Sequence, residues 1–262
     1  MKGFWLSCLI YVGVLLGSCP LQASFLWMTG GNQVFVGPEI YHVKRTKEGG
    51  AAQHGYLYGV RVGYERVKRY KVYWGLDGLY ATGSLKGKLD GQHLKSNLTD
   101  INLEERVGYT FQAKCDWRPS LTPFIGIGYF WEKNNYKHPS DMQIHFHNRF
   151  SYIPVGFLSS VQFGPYFSMG VNFKARIILE GKNEVSNDPK FDDVTQNYEE
   201  KIHYRIELPF TYERCYWGKE LGISLVPFYE YRQYGHRPNF PFDFLETKFK
   251  LYGVTLKFLY FF

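Results

Sequence analysis

The sequence predicts an all-β fold, a transmembrane antiparallel up-and-down β-barrel of ten strands, with eight as the smaller alternative. Three observations carry the prediction. Apolar and polar residues alternate with a period of two in repeated stretches near the ~10 residues that a tilted strand needs to cross a bilayer. Aromatic residues make up 19% of the 262-residue chain, high for a soluble protein. Mean hydropathy is nevertheless −0.31. That value argues against a bundle of membrane helices but suits a barrel, where every second strand residue faces a polar interior. Beyond the first twenty or so residues, no apolar run approaches the ~18 residues of a spanning helix.

The amino terminus has secretory grammar: Lys2, an apolar run from Phe4 to Gly17, then small and turn-forming residues. Residues 1–23 are expected to be a signal peptide cut after Ala23, leaving 24–262 as a single barrel domain. Leu16-Gly17-Ser18-Cys19 offers a competing, lipobox-like cut, but a closed barrel is already anchored and gains little from one acyl chain.

Taken in order, the first strand covers about Gln33 to Arg45 with ambiguous parity, since Val34, Val36 and Ile40 compete with Phe35, Tyr41 and Val43 for the apolar face. In the second, Tyr56, Tyr58, Val60, Val62 and Tyr64 alternate with Gly59, Arg61, Gly63 and Glu65. The third sets Val72, Trp74, Leu76 and Tyr80 against Gly75, Asp77 and Ala81. A long connector is expected from Gly83 to Thr99. The fourth strand sets Ile101, Leu103, Val107 and Tyr109 against Asn102, Glu104, Arg106 and Gly108. The fifth places Ile125, Ile127, Tyr129 and Trp131 outside, then gives way to a polar loop. The sixth, Arg149 to Phe157, alternates poorly. The seventh opposes Phe173, Ala175, Ile177 and Leu179 to Asn172, Lys174, Arg176 and Glu180, and a charged loop is expected from Gly181 to Asn197. The eighth opposes Ile202, Tyr204, Ile206 and Leu208 to Glu199, Lys201, His203, Arg205 and Glu207. The ninth opposes Leu221, Ile223, Leu225, Tyr229 and Tyr231 to Glu230 and Arg232. Aromatics gather near the strand ends, where two interfacial girdles are expected.

The tenth strand ends the chain, with Tyr252, Val254, Leu256, Phe258, Tyr260 and Phe262 on one face. An aromatic strand at a free end would be a sticky edge in water, and a bilayer supplies the burial it needs. This strand resembles the closing strand of bacterial outer-membrane β-barrels, which typically end in Phe with apolar residues at alternate positions. The resemblance implies a Gram-negative outer-membrane location reached by secretion across the inner membrane. It also implies short periplasmic turns, long extracellular loops and recognition of the last strand by the barrel-assembly machinery.

Ten charged residues are expected to line the lumen: Glu104, Arg106, Lys174, Arg176, Glu199, Lys201, Arg205, Glu207, Glu230 and Arg232. A barrel of about eight to ten strands is filled by side chains, so mixed charges should pair and occlude it; a narrow ion path is the functional alternative. Outer-membrane proteases and lipid A-modifying barrels place acid–base residues near the outer rim. Here His42, Asp77, Glu132, His145, His147, His203, His236 and Asp243 have comparable positions, yet none of those families' local motifs surrounds them. His145-Phe146-His147 puts two imidazoles on one face without a Cys or carboxylate to complete a ligand set. No catalytic residue, metal or cofactor is therefore expected. Cys115 and Cys215 fall in turns four strands apart, too far to bridge directly, which points to free thiols or an intermolecular disulfide.

The formal net charge of +7 falls to about +6 when Lys2 is removed with the signal peptide. Nucleic acid is not the natural partner of such a chain. Lys44, Arg45 and Lys47 at one rim suit phosphates of outer-membrane lipids and lipopolysaccharide, and Arg66, Lys68, Arg69 and Lys71 suit headgroups at the other. The first functional reading is a non-enzymatic envelope or surface protein whose exposed loops meet host or envelope ligands. A narrow porin-like channel or transporter comes second, and a lipid A-modifying or proteolytic barrel third.

Overall fold

A computed structural model describes residues 31–89, 92–140, 144–187, 192–197, 202–216, 219–235 and 246–262. The expected signal peptide, Cys19, Glu199, Lys201, His236 and Asp243 lie outside them. Every regular element among the described residues is a strand: β1 (Asn32–Lys47), β2 (Ala52–Arg66), β3 (Val72–Leu89), β4 (Gln92–Tyr109), β5 (Phe111–Gln112), β6 (Ser120–Tyr136), β7 (His145–Phe163), β8 (Phe167–Met169), β9 (Asn172–Ser186), β10 (Val194–Asn197), β11 (Ile202–Glu207), β12 (Phe210–Tyr216), β13 (Lys219–Tyr234) and β14 (Thr247–Phe261). Ten of these form a closed antiparallel ring, β1-β2-β3-β4-β6-β7-β9-β11-β13-β14 and back to β1. The short β5, β8, β10 and β12 pair beside ring strands and lengthen it.

Closure is made by the first and last ring strands, whose register runs from Gln33↔Phe261 to Lys47↔Thr247. The backbones approach very closely within this seam. A Cβ added at Gly37 would meet the carbonyl oxygen of Leu256, so glycine is required there by space rather than by backbone angle.

Alternation gives the wall two chemistries. On β3 the outward residues Val72, Trp74, Leu76 and Tyr80 are apolar, whereas farther along the same face Thr82, Ser84, Lys86 and Lys88 are polar. The apolar stretch has the ~9–11-residue length of a tilted spanning strand, and the polar stretch projects beyond it. Exposed aromatics bracket the belt: Tyr70, Tyr109, Phe111, Tyr212 and Phe262 toward the end carrying Asn32, and Tyr56, Tyr80, Tyr129 and Trp131 toward the other.

The projecting strands correct several expectations. The connector expected from Gly83 to Thr99 is mostly ladder, since β3 and β4 pair from Leu89↔Gln92 down through Gly83↔Leu98. Likewise β9 extends to Ser186, where a charged loop was expected, and pairs with β10. These segments carry lysine, asparagine and glutamate outward because they stand in water, and that composition mimics a loop. The ambiguous parity of β1 resolves with Phe35, Tyr41 and Val43 inward and Val34, Val36 and Ile40 outward. Glu180, expected inside, is outside: a register shift opposite Ser151/Tyr152 leaves both Leu179 and Glu180 exposed, the signature of a β-bulge that reverses parity.

Replacing Gly37 by Val should prevent closure of the seam. Electrophoresis without boiling checks this: the parent should migrate as a compact, heat-modifiable barrel, and Gly37→Val only as the unfolded form.

Candidate functional site: a charged and aromatic lumen

Inward-facing residues at mid-barrel build one continuous ion-pair network. Glu39 on β1 receives hydrogen bonds from Arg61 Nη1 at 2.9 Å, from Arg205 Nη2 at 3.2 Å and from Thr255 Oγ1 at 2.7 Å. Arg61 makes a forked contact with Asp77, both N···O distances being 2.9 Å, the geometry in which a planar guanidinium matches a carboxylate. Arg205 also reaches Glu230 at 3.1 Å and Glu207 at 2.7 Å. Glu230 accepts from Arg176 and from Arg232, each at 2.6 Å. Arg232 continues to Asp100 at 2.8 Å, and Tyr41 donates to the same Asp100 oxygen at 2.8 Å. The path Asp77–Arg61–Glu39–Arg205–Glu230–Arg232–Asp100 thus links β3, β2, β1, β11, β13 and β4 across the lumen. A parallel branch joins Lys174 to Glu104 at 2.9 Å and Tyr152 to Glu104 at 2.8 Å.

These groups are almost wholly buried; Glu39 and Asp100 are 0% exposed and Arg232 1%. Charges taken from water cost several kcal/mol each unless paired and hydrogen-bonded, so their alternating signs let the interior be filled at all. Removing one member would strand its partners.

The outward-projecting half packs an apolar cluster among buried polar groups such as Gln53, Glu132 and Asn148. Tyr41, Val43, Leu57, Leu85, Leu98, Phe130, Phe150, Ile178, Tyr234, Phe249 and Leu251 form one buried cluster. Phe130 stacks on Phe150 with ring centroids 4.9 Å apart, and His203 meets Phe150 edge-on at 5.2 Å. The cations of the network lie on this plug, with the Arg232 guanidinium 4.5 Å from the Phe130 centroid and that of Arg205 3.6 Å from Phe228, close enough for cation–π attraction. On the other side of the network, toward Asn32 and Phe262, a cavity of about 170 Å³ is lined by Arg61, Arg106, Lys174, Glu207, Lys257 and Ser159 among others. The lumen is therefore a shallow vestibule ending on a charged floor, backed by a packed core.

Glu104, Arg106, Lys174, Arg176, Arg205, Glu207, Glu230 and Arg232 all lie on the inward face, brought together in this network. Glu39, Arg61, Asp100, Tyr41 and Tyr152 complete it without having been expected as lumen partners. Glu39 sits on the strand of ambiguous parity and Asp100 beside the misread connector; Arg61 had the right parity but no visible partner. The outward residues of β14, from Tyr252 to Phe262, face away from the lumen.

Rim candidates for chemistry are dispersed or already engaged. Asp77 is held by Arg61, and Glu132 accepts hydrogen bonds from Tyr234 at 2.6 Å and Asn148 at 2.9 Å. His203 is buried, with Nε2 3.1 Å from the Gln233 carbonyl oxygen. His42 lies on the outer wall against Tyr56. His145 and His147 are half-exposed at the start of β7. No group of three potential metal ligands occurs among the described residues. Arg45, expected at the outer rim, instead points inward and donates to Gln53 and Tyr136 at 2.8 and 2.9 Å. Cys115 is disulfide-bonded and Cys215 is free and exposed, so the two are not joined to each other.

No protein-family model matches the chain, and no curated protein does. Solved structures do. The outer membrane protease OmpT from Escherichia coli matches with a TM-score of 0.56 at 10% identity, covering 91% of this chain and 99% of that one. The translocator domain of the autotransporter NalP from Neisseria meningitidis matches with a TM-score of 0.47 at 9% identity, over 100% and 96% of the two chains. The attachment invasion locus protein Ail of Yersinia pestis matches at 0.32 and 12% identity, over 88% and 99%. The first match establishes the fold, a closed barrel of the bacterial outer-membrane type.

Arg205→Met should leave Glu39 and Glu230 short of a counter-charge in the lumen and destabilise the barrel by about 3–5 kcal/mol. Urea-dependent unfolding in detergent micelles, followed by tryptophan fluorescence, measures the loss.

Proposed function

We propose that this chain is a non-conducting, non-enzymatic envelope protein of the bacterial outer membrane, which anchors a projecting β-stalk at the cell surface. The observation that carries this reading is the sealed lumen: an ion-pair layer and an aromatic core fill successive levels of the barrel interior. An ion path needs continuous polar space with sites that bind weakly enough to release, whereas the charges here are committed to one another and the next level is filled by packed side chains, the stacked Phe130 and Phe150 among them. The polar outward faces of β3, β4 and β9 beyond the aromatic girdle supply a surface for host or envelope ligands. The apolar outward face of β14 suits recognition by the assembly machinery during insertion.

General acid–base catalysis needs a group held near a reacting atom with a proton to give or take. The buried carboxylates of the lumen instead accept from arginine, lysine or tyrosine, which favours a structural role for them over a protease-like or lipid-modifying one.

In planar bilayers the purified protein should give no discrete conductance steps. Replacing Phe130 and Phe150 together by Ala should open a leak by emptying the stacked centre of the plug. Steps from the unmodified protein would overturn the sealed-barrel reading.

A further inference from the structure

The outer wall carries a row of cations that the lumen network does not use. Across five adjacent ring strands, register places Lys95 opposite Lys86, Lys86 opposite His54, His54 opposite Lys44 and Lys44 opposite Lys250. All five side chains lie on the outward face, and His54, Lys44, Lys86 and Lys250 are exposed. Lys44 and Lys250 face each other across the seam that closes the barrel. Among the described residues, none of the four lysines enters an ion pair; the nearby Glu246 is held by Lys248 at 2.6 Å.

Like charges directly opposite on neighbouring strands repel and destabilise a sheet. Placing such a pair on the seam weakens the contact on which closure depends, unless an anion lies between the two ammonium groups.

The level of the row identifies the anion. One pleat nearer the belt, the neighbours in register are Ser84, Tyr56, His42, Tyr252 and Tyr229; one pleat nearer still are Tyr58, Ile40 and Val254. On β1, β2 and β14, proceeding outward, the wall passes from Ile40, Tyr58 and Val254 through His42, Tyr56 and Tyr252 to Lys44, His54 and Lys250. This order matches that of acyl chains, interface and headgroup phosphates in a bilayer. Tyr231 and Tyr204 continue the row beyond Lys250 and stack with centroids 5.2 Å apart, forming an aromatic flank for the glycerol or sugar portion of a headgroup.

We infer that the row centred on Lys44 and Lys250 binds the phosphate of an anionic lipid in the outer leaflet, and that this lipid bridges the closing seam. The bound phosphate converts a repulsive pair into two charge-assisted contacts. The site rests on insertion of the barrel in a membrane and is independent of whether the lumen conducts.

The test compares melting of the folded, heat-modifiable form of the full barrel in phosphatidylcholine vesicles with and without phosphatidylglycerol. At about one basic-residue increment per lysine, the anionic lipid should raise the midpoint by roughly 4–8 °C. K44Q/K250Q should lose most of that rise, and in pure phosphatidylcholine it should melt no lower than the parent because the repulsion is gone. K86Q, which leaves the seam pair intact, should lose less. K68Q/R69Q, at the opposite end, should retain the rise. An undiminished rise in K44Q/K250Q overturns the site. An equal loss in K68Q/R69Q reduces the effect to general surface charge and also overturns it. Inorganic phosphate reproducing the full rise in pure phosphatidylcholine would assign the site to a free anion and overturn the lipid assignment.

Discussion

Everything in this structure depends on the pairing of β1 with β14. In hydrocarbon no water is present to satisfy a free N–H or C=O, so a sheet can enter the membrane only if its two edges meet. The seam register from Gln33↔Phe261 to Lys47↔Thr247 meets that requirement, and Gly37 permits the backbone approach. Once the ring is closed, each strand residue has one of two destinations. Even positions of β1 and β14 face lipid or outer water, and odd positions face a lumen too narrow to remain empty.

That confinement explains the interior. Ten strands enclose a space that side chains fill, and residues drawn from distant parts of the chain meet there. Arg205 and Glu39 are hydrogen-bonded although separated by 166 positions, and Thr255 and Glu39 by 216. Such a network contributes specificity as much as stability, since each buried charge tolerates only the register that presents its partner. A one-residue slip of any strand would send its charges into lipid. The aromatic cluster on the outward side adds ordinary hydrophobic packing, so the projecting half resembles the interior of a soluble protein wrapped in a sheet.

Most of the architecture was legible along the chain. On β2, Tyr56, Tyr58, Val60 and Val62 oppose Arg61 and Glu65, and the wall places them as that pattern requires. The eight charged residues assigned to the lumen that fall within the described residues all lie inward. Legibility failed where local composition ceased to report depth. The Lys86, Lys88 and Lys95 segment reads as loop because its outward side chains are solvated, yet its backbone is paired as fully as that inside the membrane. Glu180 was misplaced because a bulge adds a residue without leaving a compositional mark.

By itself the sequence determined an all-β barrel of ten strands, the parity of most of them and the mixed charge of the lumen. These follow from a period of two, which is local and survives in one dimension. Only the tertiary structure decided which charges meet, that an aromatic core backs them, how far the strands extend beyond the belt and which lysines face one another at the seam. Those depend on register between strands and on closure of the ring, and both are relations between residues far apart in the chain that no single stretch encodes.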